Sequence, residues 1–370
     1  MTTPAAHGPR IELRTTREPV PAERRAALLS DPGFGRVFSE HMVSIRWSAD
    51  RGWHEAELRP YGPLSLDPAT MALHYGQSIF EGLKAYRWPD GSVAAFRPHE
   101  NARRFRRSAR RMAMPELPEE TFVAAIEALV AQDRDWVPSG VGESLYLRPI
   151  MFATEVGLGI KPASECLFLL IASPVGPYFP RGVHPVSVWL SEDYCRAAPG
   201  GTGEVKCAGN YAATLVTQAQ AAAKGCDQVV WLDAVERRWV EEMGGMNLCF
   251  VFGSGDRARV MTPALTGTLL PGVTRDSLLT LAEDLGYPAE EGRISTEEWR
   301  LANEDGSLTE VFACGTAAVV TPVGSVKSNA HEWTIGSGEP GPVTMKLRAS
   351  LLEIQHGVAD DEHGWMHRIC

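Results

Sequence analysis

Apolar residues recur along this chain with two different periods. In "EETFVAAIEALVAQD" (119–133) Phe122, Ile126, Leu129 and Val130 stand at i, i+4, i+7 and i+8, one face of an α-helix. "TRDSLLTLAEDLG" (274–286) repeats the pattern with Leu278, Leu281, Ala282 and Leu285. A third helix is expected over "NYAATLVTQAQAAAKG" (210–225), with Ala212, Leu215, Val216 and Ala219 as its stripe and Gly225 as its stop. Short apolar runs read instead as buried strands: "VAAF" (93–96), "LFLLIA" (167–172), "QVVWLD" (228–233), "MNLCFVFG" (246–253) and "RVMT" (259–262). "TEVFACGTAAVVTPV" (309–323) reads as two strands joined by a tight "CGT" turn. Helices and strands mix without a regular βαβα alternation, so the expected class is α+β rather than a doubly wound sheet.

The length of 370 residues suggests two domains. The composition shifts to Pro and Gly in "SPVGPYFPRGVHP" (173–185), the best place for a boundary. The resulting division is an N-terminal extension over 1–33, a smaller domain over 34–177, a linker over 178–186 and a larger domain over 187–370. A net charge of −10 argues against nucleic acid as a partner. The longest apolar run, Cys166 to Ala172, is far too short to span a bilayer, and the first thirty residues contain no apolar core of a secretory signal. Seven cysteines without C-x-x-C spacing suggest neither a disulfide framework nor a metal site. Reduced thiols in the cytoplasm are the simplest reading.

The candidate chemistry begins at "GGTGEVKCAGNY" (200–211). A glycine loop with a lysine suggests phosphate binding, but Lys206 is flanked by Val205 and Cys207 and fails the P-loop pattern. A partly desolvated lysine is a nucleophile toward carbonyls, which points to a Schiff base with pyridoxal phosphate. That cofactor also needs an anion site, an acid at its ring nitrogen and a donor at its ring oxygen. "LLPGVTRDSLL" (269–279) puts Gly272, Val273 and Thr274 at a helix N-terminus, suited to a phosphate or simply a Pro-Gly turn before a capped helix. "VEEMGGMN" (240–247) offers Glu241 or Glu242 as the acid, and Tyr211 is either the donor or a core residue. Seven arginines in "RPHENARRFRRSARRM" (97–112) make a solvated helix face, from which one could reach an anion with two hydrogen bonds.

Taken together, "HYGQSIFEGLKAYR" (74–87), "GGTGEVKCAGNYAATL" (200–215), "EEMGGMN" (241–247), "LLPGVTRDSLL" and "VFACGTAAVVTPV" (311–323) closely resemble branched-chain amino acid aminotransferases, fold-type IV pyridoxal-phosphate enzymes of the class-IV aminotransferases. The match keeps order and spacing from about residue 34 onward. The resemblance implies a two-domain α+β fold like that of D-amino acid aminotransferase, with the cofactor between the domains. It implies Lys206 as the Schiff-base lysine and proton carrier, Tyr211 at the ring oxygen, Glu242 at the ring nitrogen and Leu270 on the ring face. It implies Arg104, the N–H groups of Val273 and Thr274, and the Thr316 hydroxyl on the phosphate. Thr316 and Ala317 would bind the substrate carboxylate through backbone N–H groups. Phe34, Tyr75, Phe80, Tyr146 and Tyr178 would line the side-chain pocket, with Arg148 at its edge and Gly245 beside it. Leu158 and Ile160 would come from a partner subunit, which implies a homodimer.

The chain departs from the family's pattern in places. Ala318 and Thr321 stand where animal members carry a C-x-x-C, Gly245 where some members have threonine, and Ala208 where a glycine is common. The implied activity is amino transfer from leucine, isoleucine or valine to 2-oxoglutarate in a ping-pong cycle. Rival readings are an aminotransferase of a specialised pathway acting on an aromatic or unusual keto acid, a D-amino acid aminotransferase or aminodeoxychorismate lyase, and a non-catalytic phosphate-binding module. No metal is expected.

Overall fold

The computed structural model describes residues 8–179 and 182–370. Residues 1–7 of the N-terminal extension, and Pro180 and Arg181 of the expected linker, lie outside the described residues. The chain folds into two compact units. The first comprises the described residues up to Tyr178, together with Val205–Ala208 and Ile354–Cys370; the second comprises Phe179–Glu204 and Gly209–Glu353. Two features therefore differ from a simple split at 178–186. The short stretch around Lys206 belongs to the first unit, and so does the C-terminal tail. The tail is anchored there because Met366–Arg368 pairs antiparallel with Val93–Phe96.

The first unit is built on a nine-stranded sheet, and its pairings are antiparallel apart from Glu12–Leu13 on Gly52–Pro60. Its longest ladder joins Ser144–Ala153 to Glu165–Val175. The helices Pro98–Arg111 and Glu119–Gln132 supply the apolar faces that pack into its core. Phe122, Ile126, Leu129 and Val130 are buried, as the helical period requires. Phe105, Phe122 and Phe168 meet with centroids 5.4–6.2 Å apart. Each such side chain contributes about 1.5–3 kcal/mol by leaving water. The N-terminal extension is docked rather than loose from residue 8 on: Glu12 and Leu13 pair with Glu57 and Leu58, and Ile11, Val20, Leu28 and Leu29 pack on the core.

The arginine-rich helix Pro98–Arg111 divides its charges between surface ion pairs and one buried group. Arg103, Arg106 and Arg110 are matched by Glu100, Glu116 and Glu119, while Arg104 alone turns inward and is buried.

The second unit also carries a nine-stranded sheet. Val240–Met243 pairs both with Gln228–Leu232 and with Met246–Phe252, which closes six strands into a ring and removes their free edges. The helix Val273–Asp284 appears where the period places it, with Leu278, Leu281 and Ala282 buried. Leu308–Gly315 and Val319–Lys327 form the expected hairpin, but its turn falls at 316–318, two residues beyond "CGT". Val319 closes that turn at φ +62°, a left-handed conformation costly for a β-branched residue.

The expected helix over 210–225 is broken. Ala208–Ala212 and Leu215–Ala223 are separate helices, and the Thr214 hydroxyl donates to the Tyr211 carbonyl at the break. Its buried positions are Asn210, Thr214, Thr217 and Ala221, whereas Leu215 and Val216 of the expected stripe are exposed. Side chain-to-backbone bonding by threonine competes with helix continuation, and the alanine-rich composition hides that.

Candidate active site

In the first unit, strand Ser144–Ala153 projects alternate residues to one face, so Tyr146 and Arg148 point the same way. Phe34 meets the Tyr146 ring edge-on with centroids 5.2 Å apart. The Arg148 guanidinium lies 4.8 Å from the Phe80 ring and 5.3 Å from that of Tyr146, and donates to the Tyr146 hydroxyl at 2.8 Å. Its Nε is buried without a hydrogen-bond acceptor among the described residues. The Lys206 ammonium stands 5.0 Å from the same Phe80 ring. One aromatic ring thus has the lysine and the arginine as neighbours. The lysine's backbone is pinned at both ends: its N–H donates to the Ser108 hydroxyl at 3.1 Å and its carbonyl accepts from the Phe80 N–H at 3.0 Å. Next to it, Cys207 bridges to Ile79.

The glycine of "FEG" now has a reason. A Cβ on Gly82 would lie 2.1 Å from the Tyr146 hydroxyl, so only glycine lets that phenol sit there. The glutamate of the same motif was not singled out from sequence. Glu81 is fully buried and takes both Nε and NH2 of Arg104, at 2.7 and 2.8 Å, with Asn101 donating as well. Burial pushes the Glu81 carboxyl up, but Arg104, Lys206 and Asn101 outweigh it and the net shift is down. Arg104, expected on a phosphate, is thereby held in a fixed plane by a carboxylate. Its partner sits twenty-three residues away, in a motif that gives no sign of it beyond an acid in an apolar run.

Of the other pocket candidates, Tyr75 donates from its hydroxyl to the Leu158 carbonyl, and Tyr178 is partly exposed at the end of the unit. Leu158 and Ile160 are not in this cluster: they are 65% and 86% exposed on a loop. Glu155 fastens that loop through Lys161 and Ser164, which hold its carboxyl down to about 2.

The second unit assembles the remaining candidates. Adjacent strand positions aim Glu241 and Glu242 to opposite faces. Glu242 is buried; its Oε1 accepts the Leu270 N–H at 2.5 Å, and its Oε2 lies 3.1 Å from Arg196 Nε, an ion pair without hydrogen-bond alignment. Asn247 donates to Glu242 at 3.4 Å and to the Leu270 carbonyl at 2.9 Å. Arg196 and Asn247 were not anticipated; no local pattern marks Arg196 as the cation that matches Glu242. Gly272 caps the helix that Val273 and Thr274 open, where backbone N–H groups have no carbonyl one turn earlier. A Cβ at Gly272 would come within 2.2 Å of Asn247 Oδ1, so the helix start can approach Asn247 only as glycine. Gly245 faces the Tyr211 ring, which a Cβ would meet at 3.4 Å. Thr316 and Ala317 occupy the hairpin turn, half-buried.

This unit holds a buried acid, a phenol and a glycine-capped helix N-terminus, and the first unit holds a pinned lysine; these are the residue types that pyridoxal phosphate requires. All seven cysteines are free, and the Cys314 thiol is pushed well up by its hydrogen bond with Cys249 and by burial. Among the described residues no His/Cys/Asp/Glu group could hold a metal, and no helix is long and apolar enough to cross a membrane.

Residues 78–326 match the amino-transferase class IV family, more than half of the chain, and the chain belongs to that family. Its members use pyridoxal phosphate. Among its relatives, a "Probable branched-chain-amino-acid aminotransferase" of Streptomyces coelicolor is 62% identical over all of both chains. A branched-chain-amino-acid aminotransferase of Mycolicibacterium smegmatis is 60% identical over 93% of this chain and 94% of its own. Among solved structures, the Escherichia coli branched-chain amino acid aminotransferase superposes with a TM-score of 0.74 at 27% identity, covering 90% of this chain and 100% of that one. A second branched-chain amino acid aminotransferase, from T.th. and complexed with N-(5'-phosphopyridoxyl)-L-glutamate, gives 0.71 at 29% identity, covering 89% and 99%.

Proposed function

We propose that the chain is a pyridoxal-phosphate-dependent transaminase of branched-chain amino acids, moving the amino group of leucine, isoleucine or valine to 2-oxoglutarate and back in two half-reactions. The observation that carries this reading is the Phe80 ring, with the Lys206 ammonium and the Arg148 guanidinium both beside it. An apolar side chain packs on such a ring, and a distal carboxylate finds Arg148. When bound, the cofactor supplies an electron sink for charge developing at the substrate α-carbon. Lys206 Nζ then takes and returns the α-proton, from a backbone that Ser108 and Phe80 keep still. Tyr211 donates to the ring oxygen, and Glu242 accepts at the ring nitrogen, its negative charge supported by Arg196 and the Leu270 N–H. Leu270 covers the ring face. Arg104, the N–H groups of Val273 and Thr274, and the Thr316 hydroxyl hold the phosphate. The turn at Thr316 and Ala317 receives the α-carboxylate, Phe34, Tyr75, Tyr146 and Tyr178 enclose the side chain, and Gly245 is a further substrate-binding position.

Support for these roles comes from the buried donors and acceptors of each unit and from the relatives named above, one of them holding a glutamate adduct of the cofactor. The exposed Leu158 and Ile160 suit burial in a second copy, and a cytoplasmic homodimer is the assembly we propose. A donor panel tests the reaction. Leucine, isoleucine, valine, phenylalanine and D-alanine are each offered with 2-oxoglutarate, and glutamate formation is followed. The three branched-chain donors should lead; a panel led by phenylalanine or D-alanine would overturn the assignment.

A further inference from the structure

Glu241, which the reaction does not use, lies on the face of its strand opposite Glu242. It lines a cleft of ≈ 250 Å³ within the second unit, walled by Pro199, Val235, Val240, Pro263 and Leu269. That is room for about eight waters, or one ligand with about as many non-hydrogen atoms. Glu241 is only 5% exposed. Its Oε1 accepts from the Thr268 hydroxyl, while Oε2 is buried without a partner. Burial raises the carboxyl, against the pull of Thr268 and Arg196. Leaving a buried acceptor unmatched is costly, and besides these apolar walls the cleft is lined by Asp233, Glu236 and Thr266. At the cleft's rim Arg293 stacks 4.0 Å over the Trp239 ring.

We propose that this cleft is a second small-molecule site, taking an apolar ligand with a protonated amine whose N–H donates to Glu241 Oε2. The hydrocarbon lies against Val235, Val240, Pro263 and Leu269. The ammonium can belong to a free amine or to an apolar amino acid, whose carboxylate would face Arg293. A cation suits the site better than a neutral polar ligand, because Asp233 and Glu236 also line the cleft. Binding there also reaches the buried acid of the other face. Thr268 donates to Glu241 through its hydroxyl and accepts from Arg196 through its carbonyl, and Arg196 pairs with Glu242. An ammonium drawn to Glu241 therefore acts on the charge balance of Glu242 through two intervening residues.

The probe is protonated N,N-dimethylisobutylamine, which has one N–H and, as a tertiary amine, cannot condense with a carbonyl. Calorimetry on the holoenzyme should show one site per chain. Glu241→Gln should weaken binding about 10- to 100-fold, the loss of one hydrogen bond to a charged group. Val235 is 73% exposed at the mouth, so Val235→Trp should close the cleft without disturbing the core and abolish binding. α-Methylleucine, which has no α-proton to lose, separates the two sources. Glu241-dependent binding of it assigns an amino acid, and Glu241-dependent binding of the amine alone assigns a free amine. Glu241-dependent binding of neither, or amine binding that survives Val235→Trp, overturns the proposal. The readout is heat of binding, so it stands or falls separately from the donor panel.

Discussion

Replacing Arg148 by methionine removes a guanidinium beside Phe80 while keeping a long apolar side chain. Three contacts go with it: the hydrogen bond to the Tyr146 hydroxyl at 2.8 Å and the two ring contacts at 4.8 and 5.3 Å. These are the same whichever substrate is bound, and a cation beside an aromatic ring contributes about 0.5–1 kcal/mol. They predict a common loss of a few-fold at most in both half-reactions. The distinct term is the buried Nε, which has no acceptor among the described residues and is available to a distal carboxylate. A hydrogen bond to a charged group contributes about 1.5–3 kcal/mol, so kcat/KM for glutamate or 2-oxoglutarate should fall roughly 10- to 100-fold beyond the common loss. The leucine half-reaction should not share that extra factor. Single-turnover half-reactions, each started from the matching cofactor form, separate the two. A purely structural Arg148 would brace its strand through a carboxylate such as Glu155, but Glu155 is committed to Lys161 and Ser164. Equal losses in the two half-reactions, or a fall in melting temperature with neither selectively slowed, would refute the reasoning.

Borohydride reduction of the yellow protein followed by peptide mapping should place the label on Lys206; a label on Lys84 or Lys161 would remove the basis of the site. Gly82→Ala should destabilise by about 1–3 kcal/mol, because its Cβ overlaps the Tyr146 hydroxyl, whereas Gly209→Ala, with no heavy atom within 4 Å, should be neutral or slightly stabilising in the same thermal melt. The Glu155 carboxyl is lowered from 4.5 to about 2, so its hold on the 156–163 loop is complete above pH 4.5 and is lost as pH falls toward 2. The protection of the Ser164 amide, taken relative to its intrinsic exchange rate at each pH, should therefore fall across that interval, and unchanged protection would show that the ion pair does not hold the loop.

The sequence was most readable where the interaction that decides a structure is local. The stripe Phe122–Ile126–Leu129–Val130 and the hairpin over 309–323 each bury a face set by their own period, and both formed, the hairpin with its turn two residues later than expected. Local propensity misled over 210–225, where the Thr214 hydroxyl bonds back to Tyr211 and the buried side became Asn210, Thr214, Thr217 and Ala221. The return of Met366–Arg368 to the first unit left no local trace, since an edge strand's partner is chosen by the sheet and not by its neighbours in sequence. The candidate site divides along the same line. Lys206, Tyr211 and Glu242 stand in motifs and could be named. The charges that make a buried acid or base tolerable could not, because Glu81 and Arg196 carry no spacing of their own. Burying Glu242 or Arg104 alone would cost several kcal/mol per ion. Any chain that places those two groups inside must therefore supply a counter-charge somewhere. The sequence establishes that a partner is needed, and only the fold says which residue it is. In the first unit that residue is Glu81, whose fork-on-fork pairing with Arg104 fixes the plane of the guanidinium. Any further anion must then be met by the edge that Glu81 does not occupy.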